Sequence, residues 1–435
     1  MNARKLVVIG AGSAYTPEII DELIRRHAQL GIGHIALVDI PEGMERARII
    51  LALARRMLDH AGVQCELSLT DDRRTALPGA DFVISQIRVG GWQARAEDER
   101  IGLSLGLIGQ ETTGCGGFMN AMRTVPVALA IAKDMEELCP NAILLNFTNP
   151  SGIVTEALLR HSSIRTIGLC NVPINMQNDA ANALGAQKTD MRCCFGGLNH
   201  LSFMLSATLH GRDVFDELLH GLCHNPTLMK NIPKVAGVDR LIESIGLIPS
   251  PYLQYFYFEP EMLEKELREL NDEGKTRGDK VEAINCELFA IYAREDVVVK
   301  PPQLSERGGS LYSYAAMDIL QACLSDEPWE MTVNTLNETA IEGLEPYAGV
   351  EITCHVSKHG VERLPVGKLP PQVAGLVAQV KRYESLTVDA AVAGSRSLAL
   401  QALINNPLVH GFANAERVVQ KMEQRTCCPM VWKEP

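Results

Sequence analysis

The sequence holds no run of 18 apolar residues, so no helix is expected to cross a membrane. It also lacks a basic excess. The formal net charge is −12 at pH 7, which excludes nucleic acid and anionic membrane surfaces as expected partners, because both require a basic face. An anionic small substrate remains compatible, since a basic pocket can sit in an acidic protein. The start, MNARKLVVIGAG, runs straight into a strand pattern and lacks the apolar core of a secretion signal. The 12 cysteines lack paired CxxC…CxxC spacings, and Cys193-Cys194 and Cys427-Cys428 are merely adjacent. Reduced thiols in a cytoplasmic protein are therefore expected. No repeat, low-complexity tract or Pro/Ser linker interrupts the chain.

What is present is an alternation. Short apolar, β-branched runs fall at 5–9, 34–38, 80–85, 142–146 and 166–169, with helical patterns between them at 17–30, 42–61, 119–138, 150–160 and 174–184. This predicts βαβ units and an α/β fold. Residues 87–118 are glycine-rich without a clean period and are expected to be irregular. Beyond about 190 the alternation weakens. "LSFMLSATLHGRDV" reads as two strands turning at His210-Gly211, 259–295 as a long charged helical pattern, and 370–403 as one or two helices. With 435 residues, two domains are expected. These are a Rossmann-like doubly wound parallel sheet over 1–190 and a mixed α+β second domain over 191–435, in a lactate/malate dehydrogenase-like arrangement.

"IGAGSAYTPE" closes the first strand pattern with Gly10-x-Gly12. Asp39 ends the second, in "ALVDI". In a dinucleotide-binding unit the glycines let the backbone approach a pyrophosphate, and the acid accepts bonds from the ribose hydroxyls. An ordinary βα turn has the same outline. Tyr15 stands where a third glycine is usual, so the helix is expected to begin late, with Thr16 as N-cap and Pro17 in the first turn. Ser13 in the widened loop could face the pyrophosphate or another anion.

Cys170 in "GLCNVP" and His200 in "GGLNHLSF" lie near the expected domain junction. A thiolate and an imidazole suit a first-row divalent cation with open positions. A buried thiol and a core imidazole fit the same residues. Polar groups crowd the strand ends: Arg88 and Arg95 after the fourth run, Asn146 and Asn149 after the fifth. The crevice outside the carboxyl ends of such a sheet binds cofactor and substrate.

The ordered series "GAGSAYTPE", "RVGG", "GQETTGCGG", "NFTNPSG", "GLCNVPI", "GLNHLSF", "PYLQYFY" and "ERGGSLYS" resembles glycoside hydrolase family 4, within it the 6-phospho-β-glucosidases. The resemblance implies hydrolysis that uses NAD⁺ and a divalent metal, usually Mn²⁺. Hydride leaves C3, a base removes the C2 proton, the C1–O1 bond breaks, water adds, and the hydride returns. It implies metal ligands at Cys170 and His200 and a dinucleotide site at Gly10, Gly12, Ser13 and Asp39. It implies a catalytic base at Tyr252, with Tyr255 and Tyr257 as wall residues. Asn149 and Asn171 would hold sugar hydroxyls and Arg95 would lie close to the substrate. Arg277 would hold the 6-phosphate, aided by Ser13; a solvated helix charge is its plain alternative. Glu111 would be a supporting acid. Asn171-Val172-Pro173 follows the phospho-β branch, whereas phospho-α relatives typically carry Asp after the cysteine. Asn cannot protonate a leaving group, so that task has no evident donor.

The expected substrate is a phosphorylated disaccharide, such as cellobiose 6-phosphate, or another 6-phospho-β-glucoside. A homodimer or homotetramer is expected. The alternatives are a relative specific for phospho-α-glucosides or unphosphorylated glycosides, a 2-hydroxy-acid dehydrogenase, and a non-catalytic NAD-binding sensor.

Overall fold

The computed structural model describes residues 3–230, 232–307 and 312–433. Six strands pair in parallel: β1 (Arg4–Ile9), β2 (Ile32–Val38), β3 (Glu66–Thr70), β4 (Phe82–Ser85), β5 (Ile143–Asn146) and β6 (Arg165–Gly168). Their spatial order is β6-β5-β4-β1-β2-β3. Every residue of β4 and β5 is buried, because helices cover both faces of the sheet; such strands read as unbroken apolar runs. The order reverses between β1 and β4, and ligands of open α/β sheets bind at that switch point. This is the expected Rossmann-like sheet.

The second half contributes two pieces. β7 (Met191–Leu198) and β8 (Leu201–Leu209) form an antiparallel hairpin. It is joined by β9 (Arg212–Asp213) and β10 (Ile248–Pro249) into a separate four-stranded sheet. β11 (Trp329–Leu336), β12 (Gly349–Ser357) and β13 (Gly360–Arg363) instead extend the first sheet to nine strands. β11 joins β6 antiparallel, Asn334 opposite Gly168. The large sheet thus draws strands from both sides of residue 190.

Three local expectations need correction. Residues 87–118 are not irregular throughout, because Gly91–Ser104 is a helix. It buries Arg95, Asp98 and Glu99 beside Ala94 and Ile101, and charges on the inward face erase the apolar stripe that marks a helix. Thr16 is not the N-cap. Tyr15 occupies that position, and the Thr16 hydroxyl donates to the Ala11 carbonyl at 2.8 Å. Finally, 259–295 is two helices, Glu259–Glu273 and Arg277–Tyr292. Gly274 ends the first at φ +66° and a Thr276–Asp279 capping box starts the second.

Helix Gly114–Leu138 is the one described helix long and apolar enough to cross a membrane, but 72% of its apolar window is buried inside the protein. It is a core helix, and helix Pro371–Ala393 packs across it and across helix Ser151–His161.

Candidate active site

The glycine loop follows from close packing. Gly10 has φ +87°, and a Cβ there would lie 2.9 Å from the Gln86 carbonyl oxygen. A Cβ on Gly12 would lie 2.9 Å from Asp39 Oδ2. The Gly12 amide donates to that oxygen at 2.6 Å, and the Ile40 amide donates to Oδ1 at 2.8 Å. Burial pushes the Asp39 carboxyl up, and these two backbone bonds pull it down. Asp39 therefore pins the loop, while a carboxylate's four acceptor positions leave it capacity for a ribose. The Ser13 hydroxyl accepts from the Tyr15 amide at 3.3 Å. From the second half, the buried Tyr292 donates its hydroxyl to the Ala14 carbonyl at 2.9 Å. This fixes the loop from the far side.

Cys170, His200 and Tyr252 come together. Cys170 follows β6, and His200 sits in the β7–β8 turn with φ +65°. Tyr252 lies on the short 3₁₀ segment Pro251–Leu253 just after β10. The His200 and Tyr252 rings stack face to face, centroids 3.6 Å apart and planes 5° apart. His200 Nδ1 bonds the Thr112 hydroxyl at 2.9 Å, in the "GQETTG" stretch. Burial lowers the His200 imidazole to about 3, so it is neutral in the ordinary range, the form that binds metals. Burial pushes the Cys170 thiol up, as does the nearby Glu351; bonds from Val172 N, Asn199 and Tyr312 oppose this. Burial also raises the Tyr252 phenol well above its usual value, as does the nearby Cys170, while Arg95 pulls it down.

Arg95 is buried and bonded to Glu99 at 2.8 Å and Glu111 at 3.0 Å. Burial works against its charge, and the two carboxylates more than restore it. Glu111 also holds Arg88 at 2.6 Å. The two guanidinium carbons stand 4.2 and 5.3 Å from the Trp92 ring centroid. Glu111 and Trp92 thus present two arginines together. The sequence reading gave Glu111 only as a supporting acid and did not single out Trp92. The signal was an aromatic between two arginines, Arg88 just before the helix Gly91–Ser104 and Arg95 in its second turn.

Arg277 opens the helix Arg277–Tyr292 and is exposed. Its charge reaches Tyr255, whose ring lies 6.2 Å from that of Tyr252. Next to it, the Gly278 amide donates to Glu99 at 2.7 Å. A Cβ on Gly278 would sit 3.3 Å from the Ala96 amide nitrogen, so glycine lets the two helices touch. Arg277 therefore lies at the rim of the Arg95–Tyr252 cluster, not inside it.

Asn146 is fully buried, with Nδ2 bonded to Thr155 and to the Thr148 carbonyl. It braces the loop and is not aimed at a ligand. Asn149 Oδ1 is buried with no hydrogen-bond partner, and such an atom usually has a ligand or water. Asn171 is the N-cap of helix Val172–Ala183, its carbonyl accepting from the Asn175 amide at 3.0 Å.

The residues present fit the groups implied by the sequence. Gly10 and Gly12 form a cradle that side chains would fill. Cys170 and His200 offer one thiol and one neutral imidazole. Among the described residues, no group of three or more His, Cys, Asp or Glu side chains converges as a metal cage. A cation held by two protein donors keeps positions open for substrate oxygens.

The family model described as family 4 glycosyl hydrolase matches residues 5–186, and that of its C-terminal domain matches 195–409. A Bacillus subtilis (strain 168) protein named "Probable 6-phospho-beta-glucosidase" is 44% identical, covering 96% of this chain and 95% of its own length. The 6-phospho-beta-glucosidase from Thermotoga maritima, solved with manganese, NAD⁺ and glucose 6-phosphate, superposes with a TM-score of 0.88 at 34% identity. That match covers 97% of this chain and 98% of the other. A malate dehydrogenase from Plasmodium falciparum shares the fold alone, at TM-score 0.54 and 9% identity, covering 89% of this chain and 98% of the other. The chain belongs to glycoside hydrolase family 4.

Proposed function

We propose that the chain hydrolyses 6-phospho-β-glucosides, using NAD⁺ and a divalent cation such as Mn²⁺, to glucose 6-phosphate and the aglycone. The observation that carries this reading is the convergence of Cys170, His200 and Tyr252 beside a buried Arg95. A 2-hydroxy-acid dehydrogenase has no use for a thiol and a phenol there, and a mere NAD sensor has no use for the set.

Gly10, Gly12, Ser13 and Asp39 hold the dinucleotide, and Cys170 and His200 hold the cation. When bound, NAD⁺ takes up and returns the C3 hydride, while the cation polarises the C3 oxygen and acidifies the phenol beside it. With a ketone at C3, the C2 proton comes within reach of a general base. Tyr252 is that base, and Arg95 favours its phenolate. Asn149 and Asn171 hold ring hydroxyls, and Arg277, with Ser13, holds the 6-phosphate; guanidinium matches phosphate in a planar fork. Loss of the C2 proton expels the aglycone from C1, water adds, and no net oxidation results. Residues 1–190 carry the dinucleotide, and residues 191–435 supply the base, the imidazole and the phosphate ligand. The protein works in the cytoplasm as a homodimer or homotetramer.

The test is release of p-nitrophenol from p-nitrophenyl β-glucoside 6-phosphate with NAD⁺, Mn²⁺ and a thiol reductant. Release is expected from this compound and not from its α-anomer or unphosphorylated form. Preference for either of those overturns the substrate assignment.

A further inference from the structure

We infer that Glu351 positions both metal-binding side chains, Cys170 and His200, through Asn199. Glu351 is the third residue of β12, 1% exposed. Its carboxylate accepts three hydrogen bonds, all from neutral donors. Asn199 Nδ2 reaches Oε2 at 2.9 Å, Asn334 Nδ2 reaches Oε2 at 3.3 Å, and Ser202 Oγ reaches Oε1 at 2.8 Å.

The three donors are placed informatively. Asn199 immediately precedes His200, and Ser202 follows it by two residues. Glu351 therefore grips the β7–β8 turn on both sides of the imidazole. That turn needs gripping, because His200 is a non-glycine residue at φ +65°, a strained conformation that persists only where the surroundings impose it. The third donor, Asn334, is the β11 residue paired with Gly168 at the end of β6, two residues before Cys170. Asn199 also hydrogen-bonds the Cys170 thiol. A single buried carboxylate on a C-terminal strand thus ties the turn bearing one ligand to the strand end bearing the other. It also gives the extension of the first sheet by β11 and β12 a role at the site. Second-layer partners of this kind orient metal ligands and tune their affinity.

This inference rests on the reading that Cys170 and His200 hold the cation. The experiment uses the full chain and measures the Mn²⁺ dissociation constant from the electron paramagnetic resonance signal of free Mn²⁺. The NAD⁺ dissociation constant and Tm are measured on the same samples. Glu351→Leu keeps the bulk and removes the acceptor. It is expected to weaken Mn²⁺ binding about tenfold or more while NAD⁺ affinity stays within about twofold. Glu351→Gln is expected to restore most of the Mn²⁺ affinity, because its amide oxygen can accept from Asn199 and Asn334 while the Ser202 hydroxyl reverses to accept. Mn²⁺ affinity unchanged in Glu351→Leu, or an equal loss of Mn²⁺ and NAD⁺ affinity, overturns the inference. If Glu351→Leu does not fold, Asn199→Ala removes the relay itself and carries the same expectation; unchanged Mn²⁺ affinity there also overturns it. Failure of the unaltered protein to bind Mn²⁺ overturns the metal reading instead.

Discussion

The imidazole of His200 lies flat on the phenol ring of Tyr252, with centroids 3.6 Å apart and planes 5° apart. The proposed base and one proposed metal ligand therefore share a face, and replacing the phenol by phenyl leaves the stack intact. Tyr252→Phe is expected to lower kcat about a hundredfold or more, the usual scale of a lost general base, with NAD⁺ and Mn²⁺ affinities unchanged. Steady-state kinetics and binding titrations check this, and near-normal turnover removes Tyr252 as the base.

His200 also predicts a pH dependence of stability. Burial holds its folded-state value at about 3, against 6.5 for a free imidazole. Between these values the unfolded chain binds the proton and the folded chain does not, so stability falls as pH drops below about 6.5. Denaturant melts of the metal-free protein from pH 7 to pH 4 are expected to show this loss, and His200→Gln is expected to flatten it.

Glu266 has the opposite sign. Burial raises its carboxyl to about 7 from 4.5, and the Gly109 amide, 2.8 Å from Oε2, pulls it down. Between 4.5 and 7 the folded chain holds the extra proton, so this group costs stability as pH rises through that window. Glu266→Gln keeps an acceptor for Gly109 and cannot ionise. Its Tm is expected to exceed that of the parent at pH 8 and to match it at pH 4.

Arg277 stands exposed at the rim, so its loss is expected to spare folding. Arg277→Ala should raise KM for the phosphorylated substrate about ten- to a hundredfold, the scale of a charge-assisted hydrogen bond. Tm and NAD⁺ affinity should not move. An unchanged KM transfers the phosphate to another residue.

The C-terminal segment braces the helix that carries Arg95. Arg425 is buried and bonds Asp98 at 2.7 Å, and Asp98 is also held by Arg123 at 2.7 Å. The amides of Thr426 and Cys427 donate to Glu97 at 2.8 and 3.0 Å. Arg425→Ala leaves a buried carboxylate with one partner, and about 3 kcal/mol of stability should be lost in urea melts.

The parallel strands were legible because their buried residues form unbroken apolar runs, as in Phe82–Ser85 and Ile143–Asn146. β3 was not, since Glu66–Thr70 is a half-exposed edge strand with mixed polarity. The 91–104 helix was hidden by its own buried charges. Cys170, His200 and Tyr252 were legible as members of an ordered motif series, and the structure brings them together. Glu351 was invisible for a physical reason. A carboxylate within "GVEITCHVS" reads as the solvent face of a strand, and only the partners Asn199, Ser202 and Asn334, up to 152 residues away, make it a buried acceptor.

The central claim is hydrolysis through transient oxidation and C2 deprotonation. It is tested most directly by turnover of p-nitrophenyl β-glucoside 6-phosphate carrying deuterium at C2, with NAD⁺ and Mn²⁺ present and absorbance of NADH followed. The account predicts slower release of p-nitrophenol from the deuterated compound, absolute dependence on NAD⁺, and no accumulation of NADH. Release at the same rate without NAD⁺ and without an isotope effect, or NADH formed in step with product, would contradict it.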